Sequence, residues 1–374
     1  MSRFLLIASH PESFLNFRGS LLRSLLAKGL EVHVAAPGLT KGNPTHCRLA
    51  SLGLHVHKIT LKRAALSPFA DLKTLFELWA LMKRIKPNIT LAYTIKPVIY
   101  GCFSAWLSGV SSCNALITGL GYSFIEKSDG RSFVRRIVRL LYRTSLSKSN
   151  RIFFQNPDDE ALFHRLKIIN LADGKTRIVN GSGVDLSWFE VQPLPKSPKF
   201  LMIARLLGDK GVREYVNAAK IVRRHYPETV FGLVGWFDDN PDAISQTELQ
   251  EWVEQGDVKF HGHLDDVRPE IAMASVFVLP SYREGTPRTV LEAMAMGRPI
   301  VTTDVPGCRE TVTVGKNGFL VPARDSHALA RMIMRFIQFP ELAAKMGKQS
   351  RQIAERKYDV KKVNMVLLEE MGIK

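Results

Sequence analysis

Short apolar runs alternate along this chain with longer segments whose apolar side chains recur every three or four residues. The runs at 4–9, 32–36, 88–93 and 114–118 have the length of buried strands, whereas 68–85 repeats large apolar residues at helical spacing. Uninterrupted apolar runs are typical of parallel strands that are covered on both faces. The alternation of strands with helices therefore predicts an α/β fold built on a parallel sheet.

A second alternating series begins after three prolines fall within residues 192–198. Proline clusters stiffen a chain, so we interpret this segment as a linker. The predicted domains are residues 1–191 and 199–350, with 351–374 as a C-terminal helix that packs back toward the first domain. Two doubly wound, Rossmann-like halves of this kind predict a cleft between them.

Positive charge is concentrated in the first half of the chain. The formal net charge is +17, and residues 1–185 hold 26 Lys and Arg against 11 Asp and Glu. Residues 186–374 hold 26 against 24. A bias confined to one half indicates an anionic partner for that half, either lipid head groups or nucleic acid.

The strongest basic segment is 131–151, with seven Lys and Arg and no acid. Its apolar residues recur at helical spacing, which is typical of a helix that lies on an anionic membrane surface. The cations expected to contact lipid are Arg135, Arg136, Arg139 and Arg143. The alternative is a core helix with a solvated basic face, and one helix can serve both purposes.

Two further features concern the compartment of the protein. No uncharged apolar run reaches the ~18 residues of a membrane-spanning helix, and the short apolar N-terminus fits a core strand better than a secretory signal. The four cysteines, at 47, 102, 113 and 308, have no paired spacing. We therefore expect reduced thiols in a cytoplasmic protein and predict no metal site.

Three loops of the second domain follow predicted strands, at the edge where open α/β sheets bind ligands. The first is residues 205–211, in which Gly208 and Gly211 permit a tight turn. Arg205 and Lys210 place two cations where a ligand phosphate can sit. An ordinary surface loop would have a similar sequence, so this loop alone decides nothing.

The second loop contains Gly262, His263 and Leu264, after the strand predicted at 259–261. Gly262 has no side chain and lets a base ring approach the main chain closely. His263 alone is more often a surface or capping residue than a ligand contact.

The third loop leads from the apolar strand at 275–279 into a helix. Thr286 is predicted to cap this helix and Pro287 to begin its first turn, so that backbone N–H groups face any anion placed there. Glu284 and Glu292 bracket the cap, and either carboxylate can accept hydrogen bonds from vicinal sugar hydroxyls. The alternative is an exposed pair of glutamates on an ordinary helix.

The spacing of Glu284 and Glu292 resembles the Glu-x7-Glu signature of the retaining glycosyltransferases of family 4, which have the GT-B fold. Further matching motifs extend the resemblance over nearly the whole chain, at 62–69, 118–121, 181–185, 204–211, 279–281, 297–301, 307–310 and 317–321. The chain is most similar to bacterial members that add a sugar, such as N-acetylgalactosamine, to a polyprenyl-diphosphate-linked saccharide.

The resemblance implies roles for these loops. Arg205 and Lys210 would bind the donor diphosphate and stabilise it as the leaving group, Glu284 would hold the donor sugar, and these three would take part in catalysis. Glu292 would hold the nucleotide ribose. The implied donor-binding residues are Arg205, Lys210, Gly262, His263, Leu264, Glu284, Gly285, Thr286, Pro287, Arg288, Thr289, Val290 and Glu292. Cations and a helix N-terminus would replace a metal ion as the charge sink, and no protein nucleophile is implied.

The resemblance assigns the acceptor to the first domain. We predict a loop over 11–19 ahead of a helix over 20–27, and further strand-end loops at 94–97 and 118–124. The candidate acceptor residues are His10, Asn16, Arg18, Lys96, Gly119 and Tyr122. Many family members have a histidine where this chain has Thr118-Gly119, and His10 is the nearest substitute, although capping or core packing is the commoner role for such a residue.

These features predict a metal-independent, retaining transferase attached peripherally to the inner face of the cell membrane. It would move an N-acetylhexosamine or hexose from a UDP-sugar to a polyprenyl-diphosphate-linked saccharide in surface polysaccharide or glycan assembly, such as lipopolysaccharide or O-antigen. We expect no cofactor besides the donor. Two alternatives are a nucleotide-sugar epimerase of the same fold and a basic nucleic-acid-binding protein, although no segment combines basic residues with stacking aromatics.

Overall fold

The computed structural model describes residues 2–61, 68–119, 132–238 and 240–374. It divides the chain into two compact units. The first contains the residues up to Ser182 together with Val363–Lys374, and the second spans Gly183–Lys362. Each unit has its own parallel sheet with helices on both faces, so the predicted α/β class is confirmed.

The first unit is built on strands that all run in one direction. In the described residues they are β1 (Arg3–Ile7), β2 (Glu31–Ala36), β3 (His55–Lys58), β4 (Ile89–Tyr93), β5 (Ser112–Ile117), β6 (Arg151–Phe154) and β7 (Thr176–Ile178). They pair in the order β3-β2-β1-β4-β5-β6-β7, with Phe4 of β1 opposite both Val32 and Ile89. The helices are α1 (Glu12–Ala27), α2 (Pro44–Ser51), α3 (Pro68–Ile85), α4 (Ile95–Ser108), α5 (Ser132–Ser147) and α6 (Pro157–Arg165).

Two apolar layers cover the sheet of the first unit. Successive residues of β1 point to opposite faces. Leu5 and Ile7 pack on the side of α3, α4 and α5, whereas Phe4 and Leu6 pack on the side of α1 and the C-terminal segment, through Leu367 among others.

One predicted loop of the first unit is a helix. We predicted a loop over 11–19, but α1 begins at Glu12. Ser13, Arg18 and Gly19 are buried on its inner face, and they interrupt the apolar repeat on which the prediction depended. Pro11 already has helical angles (φ −59°, ψ −45°), and Glu12 places a carboxylate where the helix dipole favours it.

The second unit has the same architecture. Its described strands are β8 (Lys199–Ile203), β9 (Val230–Val234), β10 (Lys259–Phe260), β11 (Val276–Leu279), β12 (Ile300–Thr303) and β13 (Gly318–Val321), paired in the order β10-β9-β8-β11-β12-β13. Its helices are α7 (Val212–Arg223), α8 (Gln246–Glu254), α9 (Arg268–Met273), α10 (Arg288–Ala295), α11 (Ser326–Gln338) and α12 (Glu341–Ile353), followed by α13 (Val360–Glu370), which continues into the first unit. The strand order reverses at β8, which lies between β9 and β11, and ligands bind at such reversals.

The predicted proline-rich linker lies within the second unit and is fastened by one buried guanidinium. Arg298 donates to the carbonyl oxygens of Gln192 (2.9 Å), Pro193 (3.0 Å), Ile271 (2.9 Å) and Ala272 (3.0 Å). Burial lowers the pKa of Arg298 to about 10, so the side chain keeps its charge at neutral pH. The charge is offset by four backbone dipoles in place of a carboxylate.

Candidate active site

The loop after β8 is folded tightly against two neighbouring loops. The N–H of Gly208 donates to the carbonyl of Asp242 (2.8 Å), and the N–H of Asp209 donates to its carboxylate (2.8 Å). Gly211 has φ +75°, and a Cβ there would lie 2.1 Å from the carbonyl oxygen of Pro280. Only glycine fits, and the resulting contact brings Lys210 to the loop that follows β11.

Lys210 and Glu284 meet across these two loops. Lys210 Nζ lies 2.5 Å from Glu284 Oε1, and both side chains are largely buried, with 15% and 14% exposed. The hydroxyl of Ser281 donates to the same oxygen at 2.8 Å. The two predicted catalytic residues, which are 74 positions apart in the sequence, are therefore direct partners.

A second glycine fixes the position of Glu284. Gly307 has φ +85°, and a Cβ on it would lie 2.2 Å from the carbonyl oxygen of Glu284. The N–H of Glu284 donates to the carbonyl of Pro306 at 3.0 Å. The Glu284 loop is thus held by the segment after β12, and any side chain at position 307 would push it out of place.

Arg205 also has a carboxylate partner. Its guanidinium Nη1 lies 2.9 Å from Asp238 Oδ2, and about a third of the side chain stays exposed. Asp238 also accepts from the N–H of Asn240 at 3.0 Å. Arg205 and Lys210 follow the same strand, so the structure keeps the two predicted phosphate-binding cations on one loop.

Helix α10 begins one residue later than predicted. We predicted Thr286 as its cap and Pro287 as its first helical residue, but Pro287 is the cap, with φ −73° and ψ 111°. The carbonyl of Pro287 already accepts from the N–H of Val290 at 3.1 Å, as a capping residue does. No side chain caps this end of α10, which suits a position that is to receive an anion.

Glu292 lies one turn into α10 and is buried. Arg288 Nε donates to Glu292 Oε1 at 2.8 Å. Burial raises the pKa of Glu292, and the charge of Arg288 opposes that rise. The carboxylate predicted to bind the ribose is therefore paired with Arg288 on the same face of the helix.

The loop after β10 lies beside an exposed aromatic pair. The carbonyl of Gly262 accepts from the N–H of Gly235 at 2.9 Å, which ties this loop to the end of β9. His263 packs edge-on against Trp236, with ring centroids 5.0 Å apart. Trp236 and Phe237 are both partly exposed, and they offer a stacking surface next to Gly262.

The predicted acceptor residues of the first unit are scattered over different environments. His10 Nδ1 lies 2.5 Å from Glu12 Oε2, near the start of α1. Asn16 is exposed on α1, and the guanidinium of Arg18 is buried 5.5 Å from the ring of Tyr93. Asn16 and Arg18 therefore belong to a helix and not, as predicted, to a loop.

Two further acceptor candidates follow β4 and β5. Lys96 lies in the first turn of α4, which begins at Ile95, so the loop predicted over 94–97 is wrong there. Lys96 Nζ forms a buried ion pair with Asp71 Oδ1 at 2.7 Å. Gly119 has φ +123°, which favours glycine at that position. Tyr122 lies outside the described residues.

Among the described side chains of the basic helix α5, apolar residues pack into the core. Val138, Tyr142 and Leu146 are almost wholly enclosed in the core of the first unit. Arg136 and Arg143 are exposed, whereas Arg135 and Arg139 are half-buried. Of the two interpretations of this segment, the core helix with a basic outer face describes its packing.

Comparison with known protein families identifies the chain. Residues 3–156 match the model for "Glycosyl transferase 4-like" domains, and residues 197–338 match the model for "Glycosyl transferases group 1". The chain is a glycosyltransferase with both of these domains.

Curated relatives align with most of the glycosyltransferase. An N,N'-diacetylbacillosaminyl-diphospho-undecaprenol alpha-1,3-N-acetylgalactosaminyltransferase from Campylobacter jejuni subsp. jejuni serotype O:2 is 29% identical over 91% of both chains. A UDP-Gal:alpha-D-GlcNAc-diphosphoundecaprenol alpha-1,3-galactosyltransferase from Escherichia coli is 25% identical over 72% of this chain and 71% of its own. Such relatives favour glycosyl transfer over the epimerase and nucleic-acid-binding alternatives.

Solved structures support the GT-B fold of the glycosyltransferase. A sucrose-phosphate synthase from Thermosynechococcus elongatus superposes with a TM-score of 0.81 at 19% identity, over 99% of this chain and 98% of its own. Anabaena HepE in complex with UDP-glucose superposes with a TM-score of 0.77 at 16% identity, over the full length of both chains. The predicted two-domain GT-B architecture is thereby confirmed.

Several residues of the glycosyltransferase site were not predicted from the sequence. Ser281 lies in the matching motif at 279–281 but was assigned no role, and Asp238 lies outside those motifs; they are partners of Glu284 and Arg205. Thr94 has φ 70° and ψ 162°, which is rare for a residue with a side chain, and its hydroxyl donates to Ser9 Oγ at 2.8 Å. Such strain occurs most often at functional sites, and Thr94 lies at the sheet edge to which the acceptor was assigned.

Proposed function

We propose that the glycosyltransferase moves an N-acetylhexosamine or a hexose from a UDP-sugar to a polyprenyl-diphosphate-linked saccharide during surface polysaccharide or glycan assembly. The Lys210–Glu284 pair is the observation that carries the proposal. It places a cation for the leaving diphosphate next to a carboxylate for the sugar. The acceptor class follows the relatives, two of which act, by their names, on sugars linked to diphospho-undecaprenol.

Donor binding would exchange one anion for another at Lys210. In the free enzyme Lys210 is neutralised by Glu284, so neither charge is left desolvated alone. The donor diphosphate would take over the lysine and Arg205, which frees Glu284 to accept hydrogen bonds from sugar hydroxyls. Negative charge that develops on the leaving diphosphate would then meet cations already in place.

The nucleotide would be held by the neighbouring loops. Glu292 would accept from the ribose hydroxyls, and the uncapped start of α10 would face the diphosphate. Gly262 and Leu264 would contact the base through the main chain, with Trp236 beside them.

The reaction would proceed with retention and without a metal ion. A phosphate oxygen of the leaving group would help to deprotonate the acceptor hydroxyl on the same face of the sugar, so no protein nucleophile would be required.

The first unit would bind the acceptor at the inner face of the cell membrane. His10, Asn16, Lys96 and Gly119 lie at or near the carboxyl ends of β1, β4 and β5, and the exposed arginines of α5 would meet anionic head groups.

The direct test is release of UDP from UDP-N-acetylhexosamines and UDP-hexoses in the presence of a lipid-linked acceptor. We expect acceptor-dependent release that persists in EDTA, and a product whose anomeric configuration by NMR matches that of the donor. Full activity of Lys210→Ala or Glu292→Ala would refute the site. An inverted product, or activity abolished by EDTA and restored by a divalent ion, would refute the mechanism.

A further inference from the structure

The first half of helix α3 exposes apolar residues and buries polar ones. Its outward-facing residues are apolar, since Phe69 is 88% exposed, Leu72 is 63% exposed and Phe76 is 64% exposed. Its inward-facing residues over the same turns are polar, since Asp71 and Thr74 are buried. A surface helix of a water-soluble domain has the opposite arrangement.

Buried polar contacts hold α3 in this orientation. Asp71 Oδ1 pairs with Lys96 Nζ of α4 at 2.7 Å. The hydroxyl of Ser104, also on α4, donates to the carbonyl of Leu75 at 3.0 Å. If α3 rolled to bury its phenylalanines, this ion pair would break and leave both charges desolvated, which costs more than exposed apolar surface does.

The exposed residues form one stripe. Positions 69, 72 and 76 follow the spacing that aligns side chains along one side of a helix. Trp79 extends the stripe, with its ring centroid 5.5 Å from that of Phe76. We call Phe69, Leu72 and Phe76 the α3 stripe. Contiguous exposed apolar surface of this kind marks an interaction site.

Positive charge near the stripe indicates what covers it. Lys73 lies within the stripe's turns and is exposed, with its Nζ 3.9 Å from Glu77 Oε1. Helix α4 packs against both α3 and α5, and α5 presents the exposed Arg136 and Arg143. Large exposed apolar side chains, in a half of the chain that holds 26 Lys and Arg against 11 Asp and Glu, fit a bilayer interface with anionic head groups. On α5, Val138, Tyr142 and Leu146 are buried in the core, and Leu140 is exposed beside the arginines.

We propose that the α3 stripe inserts into the interface of an anionic bilayer while the arginines of α5 bind its head groups. The biological reason for this membrane contact rests on the proposed function, because the contact would bring the first unit to a lipid-linked acceptor. In this arrangement α3 makes the apolar contact with the bilayer, and α5 makes the contact that depends on salt concentration.

The test is cosedimentation of the full chain with vesicles of phosphatidylglycerol and phosphatidylcholine, without donor or acceptor. We expect Phe69→Ser/Leu72→Ser/Phe76→Ser to weaken binding roughly a hundredfold, since three exposed side chains lose their apolar contact. Arg136→Gln/Arg143→Gln should flatten the salt dependence and leave the apolar contact. The matched control is Leu52→Ser/Leu171→Ser/Ile178→Ser, which removes three exposed apolar side chains elsewhere in the first unit and should bind as the native chain does.

A site-directed probe reports insertion without removing the whole stripe. In a Cys47→Ser background, an environment-sensitive dye on Phe69→Cys should shift to the blue on anionic vesicles, whereas the same dye on Leu171→Cys should not. Unchanged binding of the triple stripe variant together with an unshifted probe would overturn the proposal. So would a native chain that ignores vesicles but forms a dimer that the stripe variant abolishes, because the stripe would then bind a second copy. Since binding is read without turnover, absence of UDP release would count against the proposed function alone.

Discussion

Removing the charge of Lys210 should separate its proposed catalytic role from its structural one. In Lys210→Met, Glu284 keeps its hydrogen bond from Ser281 but loses the charge of Lys210, at a position where only 14% of its side chain is exposed. Exposed ion pairs contribute ~0–1 kcal/mol, and breaking a fully buried one costs ~3–5 kcal/mol. For this nearly buried pair we expect the free energy of unfolding of the second unit to fall by about 2 kcal/mol, or roughly 4–8 °C in Tm.

The kcat of Lys210→Met should fall by more than the loss of stability explains. Loss of a preorganised group that stabilises developing charge typically lowers kcat by ~10²–10³, and we expect a fall of that order in UDP release by Lys210→Met. Glu284→Gln should cost similar stability. The double variant should cost less than the two singles together, by about 1–2 kcal/mol, because the residues are in contact.

The matched control is Lys220→Met on α7. Lys220 also forms an ion pair, with Asp257 Oδ2 at 3.2 Å, in the same unit. Its loss should change kcat/KM less than threefold. If Lys210→Met kept kcat/KM within threefold of the native enzyme while its Tm fell as expected, the pair would be structural and the assignment of the leaving-group cation would be wrong.

Three further predictions follow from other parts of the structure. Gly307→Ala should destabilise the second unit by about 2 kcal/mol or more and impair UDP release, because its Cβ would lie 2.2 Å from the Glu284 carbonyl oxygen. The control is Gly315→Ala, which has a similar φ but open space around it. It should lower the free energy of unfolding in urea by ~1 kcal/mol and leave activity unchanged. Arg298→Met should take the guanidinium donor away from four carbonyl oxygens, of which that of Ile271 keeps the N–H of Ala274, and it should lower the urea midpoint severely. Arg298→Lys should rescue little because an ammonium lacks the guanidinium fork. The control is Arg309→Met, which removes a partly exposed ion pair and should be nearly neutral. Burial, aided by the charges of His33, Arg84 and His55, lowers the pKa of His57 to about 4. The stability that comes from neutral His57 is therefore complete above pH ~6.5 and is lost as the pH falls toward 4, by about 2 kcal/mol after a discount for partial exposure. His57→Gln should flatten that pH dependence in urea titrations of the first unit, whereas His164→Gln, at an exposed position, should not.

Strands and long helices were predictable because their patterns are local. The boundaries of α3 and β9 agree with their apolar repeats. Several helices were not predicted, among them α11 and α12. For two others, a local signal was present. α2 and α6 each begin with Asn-Pro, and the side chains of Asn43 and Asn156 cap them.

The site itself was predictable only in part. The sequence indicated which loops carry cations and carboxylates, since loops after parallel strands meet at one edge of the sheet. It could not indicate which charges pair. Lys210 with Glu284 and Arg205 with Asp238 join positions 74 and 33 residues apart, and those distances depend on the packing of whole loops. The inverted polarity of α3 was likewise hidden, because spacing alone does not tell which side of a helix faces the core.

The two backbone contacts at Gly211 and Gly307 have a consequence for altering donor choice. They bring the Pro280 and Glu284 loops into close contact with neighbouring backbone, so the positions of these two loops depend on glycine at 211 and 307. In saturation mutagenesis these two positions should accept almost nothing, while Trp236 and Phe237, exposed on the next loop, should accept many residues. A library aimed at a new donor sugar should therefore vary positions 236 and 237 and keep both glycines.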